Sequence, residues 1–155
     1  METAALDSID RRILRELQGN ARLTNQELSE RVGLSPSPCL RRLRQLEAEG
    51  IIRGYTAALD EEKLGLPVAI FMSVKLERQI DSALSVFEAE IRKHPQIVDC
   101  WLMTGENDYL LRILARDLKE YETFLTGVFT KVPGIASIQS SVSLRRVKAA
   151  QPRVP

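Results

Sequence analysis

The sequence predicts an α+β chain of two small domains, a winged helix-turn-helix followed by a ferredoxin-like β-α-β-β-α-β unit. Three observations predict it. At 155 residues the chain has room for two small domains. Residues 6–48 carry helical periodicity only, whereas residues 66–147 mix period-two and helical runs. Between them lies TAALDEEKLG, residues 56–65, a polar stretch ending in Gly65. The division therefore falls near residue 60, giving one domain over 1–60 and a second over 61–155.

The first helix starts near Asp7, with Leu6, Ile9, Ile13, Leu14 and Leu17 as its apolar stripe, and closes at Gly19-Asn20. The second opens on Thr24, and Glu27 three residues on completes a capping box. Leu23 and Leu28 take the staple positions, and Gly33 ends the helix. The third opens with Ser35 as cap and Pro36 at its first position, where a missing N–H breaks no helical bond. Leu40, Leu43 and Leu46 are expected to face the core, leaving Ser37, Arg41, Arg42, Arg44 and Gln45 on the remaining surface. Gly50 stops this helix, and Ile51-Ile52 leads into an extended segment through Tyr55 and Ala57 that suits a small wing.

After Gly65, Val68, Ile70, Met72, Val74 and Leu76 alternate with Ala69, Phe71, Ser73 and Lys75, the pattern of a half-buried strand. Ile80, Leu84, Phe87 and Ile91 mark a helix that stops at His94-Pro95. Strands follow over Ile97–Thr104 and Tyr109–Ala115, joined by a polar turn at Gly105–Asp108. Leu118, Tyr121, Leu125 and Val128 mark a last helix, ended by Pro133-Gly134, and Ile138, Val142 and Leu144 a last strand. This order folds into an antiparallel sheet with both helices on one face. The other face needs cover, and a second copy of the chain suits its apolar strands. Residues 151–155, QPRVP, read as a frayed tail.

Composition narrows the function. Hydrophobic residues at 44% and charged residues at 28% describe a globular chain. With no apolar run of membrane length and no apolar segment behind METAALDSIDRR, neither a membrane span nor a secretory signal is expected, and the chain reads as cytoplasmic. Cys39 and Cys100 stand apart with no partner at metal spacing, so no metal is expected; Cys39 reads as a small buried residue opposite Leu34. His94 is the only histidine, and no acid, base and nucleophile assemble, so no enzyme and no catalytic residue is expected. Net charge is only +1, and nine Arg offset nine acids over residues 1–60. Residues 35–46 nonetheless hold Arg41, Arg42 and Arg44 without an acid, which focuses positive potential where a DNA backbone would meet it.

Residues 35–45 are therefore expected to enter the major groove of double-stranded DNA. Ser35 and Ser37 would approach phosphates near the helix N-terminus, with Ser37, Pro38 and Arg41 nearest the bases. Three arginines in four residues cannot share one groove, so Arg42 and Arg44 read as phosphate contacts or inward salt-bridge partners. A solvated basic helix face would show the same arginines. At the turn, Asp108 and nearby backbone groups have the chemistry to hold an amino group and a carboxylate, but a plain hairpin explains the same residues.

Three segments resemble one family. LSERVGLSPSPCLRRLRQLEAEGIIRGY at 28–55 is similar to the helix-turn-helix of the Lrp/AsnC, or feast-famine, transcription regulators. LMTGENDYLLRI at 102–113 looks like the turn-and-strand signature of that family's regulatory domain, and VPGI at 132–135 with SSVSLRRVK from 140 fits the domain's end. The resemblance implies a DNA-binding regulator that forms dimers, often assembled into octamers or larger rings, and responds to an amino-acid effector without a further cofactor. Carried over, Gly105, Asp108, Tyr109 and Leu110 line or support the effector cleft, with Ser140 and Ser141 near it. Trp101 and Met103 are expected at an oligomer contact. An architectural DNA binder that ignores effectors shares every DNA-binding feature.

Overall fold

A computed structural model of the chain describes residues 6–148 and 153–154. Residues 1–5 and most of the tail, Gln151, Pro152 and Pro155 included, lie outside the described residues. The chain separates into two compact units. One runs to Ala58 and is joined by Lys148, Arg153 and Val154; the other spans Leu59–Val147.

In the first unit, α1 (Ser8–Gly19) starts on a capping box that the residue pattern also carries. Asp7 Oδ1 accepts from the N–H groups of Ile9 and Asp10, and Asp10 Oδ2 accepts from the Asp7 N–H. The second helix, α2 (Asn25–Val32), starts on the expected Thr24–Glu27 box and ends at Gly33, whose φ of +74° lies in the left-handed region that glycine enters freely. Helix α3 (Pro36–Ala48) begins at Pro36 as expected. Ser35 occupies the cap position, but its hydroxyl makes no cap hydrogen bond; instead the Asn25 amide donates to the Pro36 carbonyl at 2.8 Å, tying the start of α3 to α2.

The core of this unit gathers Ile13, Leu17, Leu28, Val32, Cys39 and Leu46, with Leu43 packed against it. That corrects the expected stripe on α3. Leu40 is only half-buried and lies off this core, because a 3.6-residue period aligns 39, 43 and 46 rather than 40, 43 and 46. The expected wing forms no strand: residues 51–58 stay irregular, held by the Tyr55 hydroxyl donating to Glu47 at 2.8 Å.

The second unit is a four-stranded antiparallel sheet, in the order β2-β3-β1-β4, built from β1 (Val68–Leu76), β2 (Ile97–Leu102), β3 (Tyr109–Ala115) and β4 (Ile135–Val142). Helices α4 (Asp81–Ile91) and α5 (Leu118–Gly127) cover one face, where Phe87, Ile91, Tyr121 and Phe124 pack on Ile70, Met72, Val74, Leu111 and Ile113. Two helix stripes shift from expectation. Ile80 and Leu118 sit at helix starts and stay exposed, while Phe124 and Phe129, one inside α5 and one in the 3-10 turn after it, are buried. Leu144, expected in the last strand, lies past its end and is fully exposed.

On the opposite face, β1 presents Phe71 and Ser73, β3 presents Leu110 and Arg112, and β2 presents Asp99 and Trp101, as the register requires. Phe71 and Trp101 are among the exposed large apolar residues. Arg112 anchors one end of this face. Its guanidinium donates to Asp99 at 2.7 Å and to Glu61 at 2.8 Å, and Glu61 also pairs with Arg146 at 3.2 Å.

Candidate nucleic-acid interface and ligand-binding turn

The outer side of α3 carries Ser37, Arg41, Arg44 and Gln45, all exposed, with Pro38 half-buried beside them and Ser35 exposed at the cap. Arg41 and Arg44 make no ion pair with a described residue, and Gln45 donates to Glu49 at 2.8 Å. The positive charge of this side is therefore uncommitted. It faces outward because Cys39, Leu43 and Leu46 turn the opposite side into the core.

Arg42 is different. Its Nη1 lies 2.6 Å from Asp7 Oδ2 and 2.8 Å from Asp10 Oδ1, and its side chain is 28% exposed. Of the two roles left open for it, the guanidinium takes the inward ion pair. The Asp7 carboxyl is held below its ordinary range, chiefly by the Asp10 N–H and then by Arg42. At the other end of α3, burial, with the Glu47 carboxylate beside it, pushes the Tyr55 hydroxyl up to about 12.

The six residues expected around an effector do not converge. Gly105 is exposed at the tip of the turn, with a φ of +116°. Asp108, the last residue of the expected polar turn, is 5% exposed and turned inward rather than offered to a ligand. Its Oδ2 accepts from the Leu76 N–H at 2.7 Å and its Oδ1 from the Gln79 amide at 2.5 Å, so both oxygens are occupied by the chain's own donors. Tyr109 is buried against Phe87, with ring centroids 4.6 Å apart, and its hydroxyl donates to Glu88 at 3.0 Å. Burial and the Glu88 carboxylate raise that hydroxyl well above its ordinary value. Leu110 lies half-buried on the open sheet face, paired across the ladders with Ser73 and Trp101.

Ser140 and Ser141 point to opposite faces of the sheet. Ser140 pairs with Met72 on the helix side and shares a hydrogen bond with the Tyr121 hydroxyl, whereas Ser141 pairs with Phe71 on the open side. A groove of about 610 Å³ opens beside α5, where Gln96, Arg116, Glu120 and Phe124 line it, and none of the six residues does. Among the described residues no group of three or more His, Cys, Asp or Glu could hold a metal ion, and no helix is long and apolar enough to cross a membrane.

Sequence reasoning missed two sets of supports: Gln79, which holds Asp108, and the Asp7–Asp10 pair, which holds Arg42. Only the last had a local signal, since D-S-I-D before an apolar stripe is the spacing of a capping box.

Comparison with known proteins adds the family. Residues 6–53 match the winged helix-turn-helix DNA-binding model, and residues 69–152 match the Lrp/AsnC ligand-binding domain. The chain belongs to the Lrp/AsnC family. It is a DNA-binding transcription regulator of Lrp/AsnC type. A Bkd operon transcriptional regulator from Pseudomonas aeruginosa is 46% identical over 144 residues, which span 93% of this chain and 94% of that one. The leucine-responsive regulatory protein of Escherichia coli is 40% identical over 143 residues, 92% of this chain and 87% of that one. A solved Neisseria meningitidis transcriptional regulator, in complex with L-Met, superposes with a TM-score of 0.89 at 44% identity and 94% coverage of both chains. An AsnC family regulator from Agrobacterium tumefaciens superposes at 0.90 with 32% identity and 96% coverage of each. In this Lrp/AsnC chain, all seven residues singled out on and before α3 fall inside the DNA-binding match, and all six expected around an effector fall inside the ligand-binding match.

Proposed function

We propose that this regulator reads double-stranded DNA with the outer side of α3 and that a free amino acid bound to the second unit alters that reading. Ser37, Pro38 and Arg41 meet base edges, while Ser35, Arg44 and Gln45 meet flanking phosphates. The observation that carries this is the exposed, unpaired state of Arg41 and Arg44 on a helix whose opposite side is fixed in the core. The functional boundary lies near residue 60. No catalytic role is assigned to any residue, and the protein works in the cytoplasm.

Relatives named as leucine-responsive or solved with L-Met support an amino-acid effector. Its contacts fall to the exposed groups of the turn, around Gly105 and its neighbours, with Leu110 on the open face at the start of the adjoining strand. Asp108 and Tyr109 support these from beneath. The exposed Phe71 and Trp101 on that face support a homodimer, and dimers of such chains assemble further into an octamer or other multiple.

Competition gel shifts with duplexes selected from a random pool test the reading, and calorimetry with a panel of amino acids tests the sensing. Selection of a defined sequence, together with saturable heat from at least one amino acid, is the expected outcome. No sequence enrichment would overturn the first half. No heat at millimolar ligand would overturn the second and leave an architectural DNA binder.

A further inference from the structure

Helix α3 sits on a narrow base. At about 100° per residue, Cys39, Leu43 and Leu46 fall within roughly 60° of arc, and Ser37, Arg41 and Arg44 span a similar arc on the opposite side. One of the three anchors, Cys39, is a small side chain, and small contacts resist rotation about the helix axis poorly. Arg42 lies beside the core stripe, about 100° from Arg41.

Its two partners are already fixed. Asp7 spends Oδ1 on the N–H groups of Ile9 and Asp10, leaving Oδ2 for Arg42 at 2.6 Å. Asp10 spends Oδ2 on the Asp7 N–H, leaving Oδ1 for Arg42 at 2.8 Å. The box that starts α1 thus presents two anchored oxygens to one guanidinium on α3.

We propose that Arg42 is a positioning residue for DNA reading: its clamp on Asp7 and Asp10 sets the rotation of α3 about its axis, and so the aim of Arg41. The clamp also keeps Arg42 off the phosphates. A roll of about 10° at a side-chain radius of about 5–6 Å moves a contacting group by about 1 Å. A bidentate base contact needs placement within about 0.5 Å. The inference rests on the reading of α3 given above.

The test uses the full-length protein, the sequence recovered by selection, and a random duplex, each titrated across a range of salt. Arg42→Met keeps the side-chain stem and removes the clamp. Affinity for the selected sequence is expected to fall about five- to a hundredfold, while affinity and salt slope on random DNA stay unchanged. Equal losses on both duplexes, with the salt slope reduced by about 0.9, would make Arg42 a phosphate contact and overturn the proposal. Retained discrimination would overturn it too. If Arg42→Met fails to fold, the Asp7→Asn/Asp10→Asn double variant keeps a capping side chain at Asp7 and removes the clamp's charge. It too is expected to lose discrimination, and retained discrimination there overturns the proposal. Arg41→Ala separates the two readings. If it leaves discrimination intact, the reading of α3 fails; if it abolishes discrimination while Arg42→Met does not, only the clamp fails.

Discussion

Replacing Asp108 by alanine removes the carboxylate that accepts the Leu76 N–H at 2.7 Å. That donor lies at the end of β1, where the register against β4 slips between Lys75 and Leu76, and Leu76 itself is 5% exposed. A buried donor left without a partner costs about 1–3 kcal/mol, whereas the exposed Gln79 amide returns to water at little cost. For a unit of this size each kcal/mol moves the melting temperature by about 4–8 °C, so Asp108→Ala should lower it by roughly 5–20 °C. Trp101, the only tryptophan, lies on β2, so its fluorescence during urea unfolding reports on this unit alone. Protein concentration must be held fixed, because self-association would add to the apparent stability. Asp108→Asn keeps one acceptor for Leu76 and should fall between the two. A loss below about 0.5 kcal/mol for the alanine variant would show that water replaces the carboxylate, and would refute the claim that Asp108 holds this end of the sheet.

Gly33→Ala should destabilise the first unit by about 1–2 kcal/mol through backbone strain alone, since an added Cβ meets nothing within 4 Å; thermal melts check it. The Asp7 and Glu27 carboxyls both sit below their ordinary values, chiefly through backbone N–H donors. Their stabilisation is therefore complete above those values, 3.8 and 4.5, and is lost as pH falls through the lower folded ones. Hydrogen exchange of the α1 and α2 amides should accelerate on acidification, and Asp7→Asn should flatten that response at α1. On the proposed dimer through the open sheet face, Phe71→Glu should sediment as a monomer where the unsubstituted chain sediments as a dimer; a variant that still sediments as a dimer would move the interface off that face. Arg41→Ala should narrow the gap between selected and random DNA by about 1–3 kcal/mol, while equal weakening on both would make Arg41 a phosphate contact.

Local signals were legible from the residues. The Thr24–Glu27 box, Pro36 at a helix start, and the alternation of Val68–Leu76 each specify their own element within a few residues, and the structure forms each one. What stayed illegible depends on partners far along the chain. Asp108 reads as a turn acid because Leu76 and Gln79 lie 32 and 29 residues away. Arg42 reads as one of three like charges because Asp7 and Asp10 lie 35 and 32 residues upstream. Ser140 and Ser141 read as one hydroxyl pair, yet consecutive strand residues face opposite ways, and only pairing with β1 shows which faces the helices. On α3 the burial of Cys39 was legible, but Leu40 beside it was expected in the same stripe, and the period of the helix turns it about 100° away to a half-buried position.

That buried cysteine gives the molecule a reporter it did not need engineering to acquire. The chain has two thiols, one in each unit, and they differ in access: Cys39 is fully covered and Cys100 exposed. A thiol reagent marks Cys100 in the native protein, but reaches Cys39 only when the helical unit opens; burial raises both thiols, so access rather than ionisation separates the two. The lag between the two modifications is thus a clock for local opening of the reading head. An amino acid added to the solution slows that clock only if occupancy of the second unit stabilises the first. The pace of one cysteine, read with no DNA present, therefore measures how strongly the two halves of the regulator are coupled.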